Sequence, residues 1–589
     1  MSRLLFSSTV LIALALAGCQ TTPPVPDAVQ ETSARERIGA GDYAAAGTEY
    51  ERLATEKRAL RDHYRLLAAE AWREEAEFDD VARLLGEIKR KKLDAEQNLR
   101  YDLLEAELAL SRQQAARASG LLAVDDARIP AAVRERWLEL QARAFQAEGR
   151  YLDATRTRLR LVALLPADER RETQRELLDL IAAQDRARLH ADLAPLAADD
   201  VLRPWLERAL RANGEAPARA PIEPGAAVGI EVATDDGEMQ REGFVPLHKL
   251  GVLLPTSGEY AAAGKAILDG VLSAHYRFAA AASVQVYDVG GTRRSALEAY
   301  RQALREGVDA VLGPVERDQV DALLEAADGR VPVLALNHPE AKTIASENSF
   351  RFGLVPEEEA AHAAERMVAE GAKRIAVFGT NEDWSERALA AFDSQLRALG
   401  GSISGRRLLR DSDVDFADAI TALVGASDAP AEALLADAVF IAVRPSTARL
   451  LVPQLRVSIA ATLPMLATSH VFAGTVQATL DKDLDGLVFL DAPWAHGGVV
   501  GLPSRDALAH DLGAAAHSPR LFAFGLDAYQ LLPYLAHLRA QPGRYLDGAS
   551  GLLLSDRFGR IRRLPQLYRF VQGAPQAASA LRLVIESAP

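Results

Sequence analysis

A change of hydrophobic rhythm near Phe244 constrains this chain more than any other feature. Before it, from Thr32 to about Ala212, the sequence is built of Ala, Leu, Arg and Glu, with almost no β-branched runs and few Pro or Gly. Apolar residues there recur at helical spacing, as in Tyr64-Leu67-Ala71 and Leu103-Leu104-Leu108. After Phe244, short apolar runs alternate with amphipathic ones. The runs Lys249–Leu254, Val284–Tyr287, Ala310–Leu312, Val333–Ala335, Arg374–Phe378, Val439–Val443, Met465–Ala467 and Gly486–Phe489 predict strands. Helices are predicted over Ala261–Phe278, Arg294–Arg305, Arg317–Ala327, Glu357–Glu370, Ser385–Leu399 and Phe416–Leu423. Alternation of this kind predicts parallel sheets covered on both faces, and the number of units suits two doubly wound lobes. A chain of 589 residues is in any case too long for one core.

Four stretches of the helical half look alike: Gly41-Asp42-Tyr43, Glu77-Phe78-Asp79, Gln113-Gln114-Ala115 and Gly149-Arg150-Tyr151. Each lies between two helical segments and precedes an Ala- or Leu-rich one. Tyr43, Phe78 and Tyr151 are separated by 35 and 73 residues, one period and two. That spacing resembles the helix-turn-helix repeat of about 34 residues in the tetratricopeptide family. The turn glycine is missing twice and the aromatic once. These aromatics are read as packing between paired helices. Pro195, Pro204 and Pro217 mark the end of regular stacking, and the Pro/Gly-rich, acidic stretch 216–243 reads as a linker.

The chain has one Cys, at position 19, so neither an intramolecular disulfide nor a thiolate metal site is possible. Arg3 supplies a short positive region, and Leu4 to Leu16 is an apolar run too short for a stable transmembrane helix. The run ends in Leu16-Ala17-Gly18-Cys19, which resembles the bacterial lipobox, in which the Cys thiol is diacylated and becomes the new N-terminus. The resemblance implies a signal peptide over 1–18 and a lipid attached at Cys19. Under the enterobacterial sorting rule, Gln20 in place of Asp implies passage to the outer membrane. The Pro-rich residues 20–31 then form an extended tether.

Charge and motifs exclude several activities. A formal charge of −14 argues against any general affinity for nucleic acid, which needs clustered cations. Gly258 to Lys265 resembles a phosphate loop, but five residues separate its glycines and Ala266 stands where Ser or Thr would bind magnesium. There is no Gly-x-Ser-x-Gly elbow and no Ser-x-x-Lys nucleophile. His362 and Glu365 share a helix face and read as a solvated pair rather than metal ligands. The acidic run Asp411–Asp415 lacks the Gly and distal Glu of a calcium loop. No cofactor, metal or catalytic residue is expected.

Gly251-Val-Leu-Leu-Pro255-Thr-Ser-Gly258, followed by Gly264 and a long helix, resembles the first strand and turn of type I periplasmic binding proteins. Val311-Leu-Gly-Pro314, Val331-Pro-Val-Leu334, Phe350-Arg-Phe352 with Pro356, Arg374-Ile-Ala-Val-Phe378 and Asp437-Ala-Val-Phe-Ile441 are similar to their later segments. The whole chain resembles the LpoA or LppC family of outer-membrane lipoproteins. Ala467-Thr-Ser469, Asp491-Ala-Pro-Trp494, Ala523 to Ala528, and Gly551 through Arg562-Arg563-Leu564-Pro565 carry that likeness. The resemblance implies a helical repeat domain at 32–215, the linker at 216–243, and a two-lobed periplasmic-binding-protein-like α/β domain at 244–589. It also implies a non-catalytic activator of a bifunctional class A penicillin-binding protein, lipid-anchored on the periplasmic side of the outer membrane. In amino-acid-binding relatives the cleft uses hydroxyls and backbone amides after the first strand, here Thr256 and Ser257, with Tyr260 nearby. No Arg or Asp can be assigned to an amino acid's charges, so the cleft is read as vestigial and no small ligand is expected. The alternative is a lipoprotein sensor or solute-binding protein that captures a small ligand in that cleft.

Overall fold

The computed structural model describes residues 31–581 except 216–217, 220–227, 230–231, 236–237, 278–281, 341–342, 411, 426–433, 498, 500–501, 503 and 510–516. The expected signal peptide, Cys19, Gln20 and the expected tether up to residue 30 lie outside the described residues, as does part of the expected linker. Two compact units divide the chain after Thr173. The helices Arg186–Leu193 and Arg203–Ala212 therefore belong with the α/β unit.

The first unit is helical, as the spacing of its apolar residues predicts. Its helices pair as Thr32–Gly39 with Tyr43–Glu56, Arg61–Glu74 with Phe78–Glu87, Ala95–Ser111 with Ala115–Leu122, and Ala131–Ala147 with Tyr151–Val162. Each second helix follows a residue with left-handed backbone: Gly41 (φ 75°), Ala76 (59°), Gln113 (59°) and Gly149 (74°). The turn is thus the same in all four pairs, and two of them hold it without glycine. Tyr151 is buried, whereas Tyr43 and Phe78 sit half-buried at helix starts. The aromatic cores are made elsewhere, by Tyr50 and Tyr64 in one cluster and Trp137 in the other. Gly47 admits the Trp72 ring, because a Cβ there would lie 2.8 Å from it.

In the α/β unit, one lobe carries a parallel sheet in the order Ser283–Asp288, Lys249–Leu254, Ala310–Leu312, Val333–Ala335, Ser349–Arg351. The other carries Ser402–Leu409, Arg374–Thr380, Ala438–Ala442, Met465–Ala467, Val488–Asp491, extended by the antiparallel Gln566–Val571 and Ala574–Ala577. Both parallel parts follow the 2-1-3-4-5 order, which places a crevice at the carboxyl ends of the strands. The central strands are buried on both faces, hence their unbroken apolar sequences.

The chain returns to the first lobe through the helix Pro519–Leu531, which packs on Ala261–Arg277. Backbone meets backbone there: a Cβ on Gly525 would lie 2.1 Å from Ile267 O, and one on Gly270 2.2 Å from Phe522 O. A third sheet, Val228–Gly229, Arg544–Asp547, Leu552–Ser555 and Ile561–Leu564, leads back into the second lobe. Its first strand and the hairpin Val232–Asp235/Glu238–Arg241 fall within the stretch expected to be linker.

Candidate functional site

The cleft of the α/β unit has two adjoining parts that share Leu354, Val355 and Leu521. One, about 220 Å3, lies against the first lobe and is lined by Ile267, Val315, Leu336, Asn337 and Phe524, with Arg387 opposite. The other, about 300 Å3, lies against the second lobe and is lined by Glu359, Ser469, His470, Arg520 and Arg563 among others. These side chains are delivered by the carboxyl ends of strands and by the first turns of the helices Pro356–Ala369 and Pro519–Leu531.

The charges of the cleft are spent on one another. Glu359 is buried; its Oε2 accepts from the Ser469 backbone N–H and hydroxyl, each at 3.0 Å, and its Oε1 from Arg563 Nη2 at 3.1 Å. Arg563 also donates to Ser550 O at 3.2 Å. Arg520 grips Asp491 with two bonds of 2.6 and 2.8 Å and donates to the carbonyls of Ser469 and Phe472. Burial by itself would raise the Asp491 carboxyl; the guanidinium of Arg520 and the His496 ring, bonded at 2.8 Å, outweigh it and hold it below the usual carboxylate range. Burial pushes the His470 ring below the usual imidazole range, and the ring stacks on Trp384 at 4.0 Å. A zwitterionic ligand would meet an anion and two cations already paired and desolvated, and displacing such partners is costly.

A second ionic group ties the crossover strands to the same helix. Glu358, adjacent to Glu359, is paired with Arg560 at 3.0 Å and with His338 at 3.3 Å. Three glutamates, Glu357 to Glu359, occupy the first turn, where the helix dipole favours anions. Farther along, Glu365 is bonded by both Nε and Nη2 of Arg219 at 2.9 and 3.0 Å and faces His362 at 3.3 Å. Burial opposes ionisation of Glu365, but His362, Arg219 and Arg562 outweigh it and hold the carboxyl at about 2. His362 and Glu365 are therefore a pair, but not the solvated one expected: both are largely buried and closed off by Arg219, a residue distant in sequence. Beside Ser550, whose carbonyl accepts from Arg563, Asp527 accepts from the backbone N–H groups of Ala549 and Ser550 and from the Ser550 hydroxyl. Burial nonetheless raises it to about 7.

Thr256, Ser257 and Tyr260 stand at the carboxyl end of the first strand, all exposed, and none lines either part of the cleft. Asp288 takes the groups that a ligand would use, accepting the Thr256 N–H at 2.9 Å and the Ser257 hydroxyl at 2.6 Å. Partial burial works to raise Asp288; the donors Ser257, Thr256 and Gly290 outweigh it and hold it at about 2. In the phosphate-loop-like turn, Gly264 is there for close approach to Pro255 O, and Lys265 pairs with Asp269. Of the acidic run 411–415, Asp411 lies outside the described residues; Asp413 accepts from Arg410 N–H and Asp415 from Ala417 N–H. Among the described residues no cluster of three His, Cys, Asp or Glu side chains is arranged to hold a metal, and no helix is long and apolar enough to cross a membrane. Sequence reasoning missed Arg520, because the helix it opens was not expected; Pro519 at its first position was the available signal.

The family profile described as "LppC putative lipoprotein" matches residues 43–220 and 238–573. The penicillin-binding protein activator LpoA of Photobacterium profundum is 24% identical over 614 residues, covering 94% of this chain and 93% of its own. A protein of the same name from Vibrio cholerae serotype O1 is 24% identical, covering 93% of this chain and 94% of its own. The crystal structure of full-length LpoA from Haemophilus influenzae aligns with 90% of this chain and 98% of its own, at 22% identity and a TM-score of 0.49.

Proposed function

This chain belongs to the LppC lipoprotein family, and from that premise we propose that it binds and activates a bifunctional class A penicillin-binding protein, regulating peptidoglycan synthesis without catalysing a reaction itself. The observation that carries the reading is the span of the relatives: those named activators match across both units rather than one. The cleft supports it from the other side, because its charged groups are committed to holding the lobes and crossover strands together. The protein is anchored by acyl chains on Cys19 in the outer membrane and projects into the periplasm. The helical unit spaces and orients, and the α/β unit makes the activating contact.

The test adds residues 20–589 to a purified, detergent-solubilised class A synthase. The expected result is co-purification and a faster rate of glycan polymerisation or cross-linking; no capture and no change of rate would refute it. Residues 183–589, the α/β unit with the helices Arg186–Leu193 and Arg203–Ala212, should do the same in solution. If that fragment is inert while residues 31–182 activate, the assignment of roles is reversed.

Capture of a small ligand is favoured by one observation: His470 Nδ1, which lines the cleft, and the buried Thr468 Oγ1 have no hydrogen-bond partner. Thermal shift with amino acids and cell-wall peptides decides it. A ligand at a hundred times its dissociation constant would stabilise the unit by about 2.7 kcal/mol. The expected shift is none.

A further inference from the structure

The helical unit carries its charge unevenly. In the stretches 57–65 and 87–94 there are eight Lys and Arg against three Asp and Glu, in a chain whose formal charge is −14. The fold joins the two stretches: Arg65 Nη1 donates to Glu87 O at 2.9 Å, and its Nη2 pairs with the Glu87 carboxylate at 2.6 Å. The acids of this region are already used. Asp62 and Glu87 meet Arg65, and Asp94 caps the helix Ala95–Ser111. Arg90 is held by Asp102 at 2.7 Å. Lys57, Arg58, Arg61, Lys89, Lys91 and Lys92 have no carboxylate partner among the described residues, and Arg58, Lys89, Lys91 and Lys92 are exposed.

The same end receives the N-terminal segment. Glu31, the first described residue, lies 3.7 Å from His63; His63 bonds Gln97 at 3.1 Å, and Gln97 is bonded to Asp94, where the basic loop ends. Cys19 lies 12 residues before Glu31. An extended Pro-rich segment of that length reaches about 37 Å.

We propose that this basic end is an electrostatic seat for the anionic phospholipid headgroups of the membrane that holds the anchor, so that two attachments, acyl chain and charge, orient the helical unit. The proposal rests on the reading of Cys19 as acylated. The position of the cations, beside Glu31 where the described chain begins, favours headgroups over the carboxylates of the wall polymer. Each cation near an anionic bilayer changes partition about fivefold, and the attraction is screened by salt.

The experiment uses residues 20–589, which carry no acyl chain and include every described residue. They are sedimented with vesicles of phosphatidylglycerol and phosphatidylethanolamine, and with vesicles of phosphatidylcholine. Binding is expected to the anionic vesicles alone, weakening steeply as NaCl rises from about 0.1 to 0.5 M. The variant K89A/K91A/K92A should bind on the order of a hundredfold more weakly. If its circular dichroism departs from the parent's, K57A/R58A, about 25-fold weaker, takes its place. Equal binding to both vesicle types, or unchanged binding by the variants, overturns the proposal. So does retention on isolated peptidoglycan that depends on the same lysines, without vesicle binding. Palmitate labelling of Cys19 in cells tests the anchor separately, so a failed anchor and a failed seat give different results.

Discussion

Gly525→Ala adds one methyl group to the helix Pro519–Leu531 at the point where it crosses Ala261–Arg277. That methyl would sit 2.1 Å from Ile267 O and 2.9 Å from Ile267 C. An ordinary C···O contact is about 3.3–3.6 Å, so the helices must part by more than ~1 Å. Neither neighbour is the end of a flexible side chain; both are helix backbone. Overpacking of this kind costs about 1–3 kcal/mol, and the immovable partner puts the cost at the upper end. Replacing glycine by alanine in a helix returns about 0.5–1 kcal/mol, leaving a net loss of roughly 2 kcal/mol. In a unit of this size that lowers Tm by roughly 1–3 °C. Gly120→Ala is the matched control: Gly120 lies inside the helix Ala115–Leu122 with nothing within 4 Å of its Cβ position. It should gain about 0.5–1 kcal/mol from propensity alone. Calorimetry of the two variants should show shifts of opposite sign. A rise in Tm for Gly525→Ala, like that of Gly120→Ala, would mean the helices are not locked backbone to backbone.

Ala76→Gly and Gln113→Gly should each stabilise the helical unit by about 0.5–1 kcal/mol, since both residues hold left-handed backbone that costs an L side chain about 1–2 kcal/mol; denaturant midpoints check this, and a loss would place the strain elsewhere. Asp527, raised by burial to about 7, takes up a proton in the folded state at pH values where the unfolded chain has lost it. Its contribution is full below about pH 4 and disappears as pH climbs through about 7, on the order of 4 kcal/mol in all. Against Asp527→Asn, which cannot ionise, the parent should lose relative stability between about pH 4 and 7; a constant difference would contradict the assignment. Glu359→Gln leaves the guanidinium of Arg563 buried without its anion and should cost about 3–5 kcal/mol, whereas Glu359→Met with Arg563→Met should cost much less. Melting of the single and double variants decides, and additive losses would show the pair to be uncoupled.

Much of the fold was legible because its cause is local. Strands such as Ala310–Leu312 and Ala438–Ala442 are buried on both faces, so they read as unbroken apolar runs whatever surrounds them. The strand Ser402–Leu409 was not expected, since an edge strand alternates polar and apolar residues and here carries Arg406 and Arg407. Glycine announced the turns at Gly41 and Gly149; at Ala76 and Gln113 the same backbone is imposed by the packing of the paired helices and leaves no mark on residue type. In the candidate site the sequence singled out the carboxyl end of the first strand, whose Thr256, Ser257 and Tyr260 line neither part of the cleft. Thr256 and Ser257 are adjacent in sequence, yet whether they are free depends on Asp288, brought beside them by the neighbouring parallel strand. Glu359 meets Arg563 across 204 positions of chain, and Glu365 meets Arg219 across 146. Hydrophobic periodicity records which face of an element is buried, a property of a dozen neighbouring residues. Charge pairing between distant segments has no periodicity, so only the tertiary structure could decide that the charges of the cleft are paired with one another.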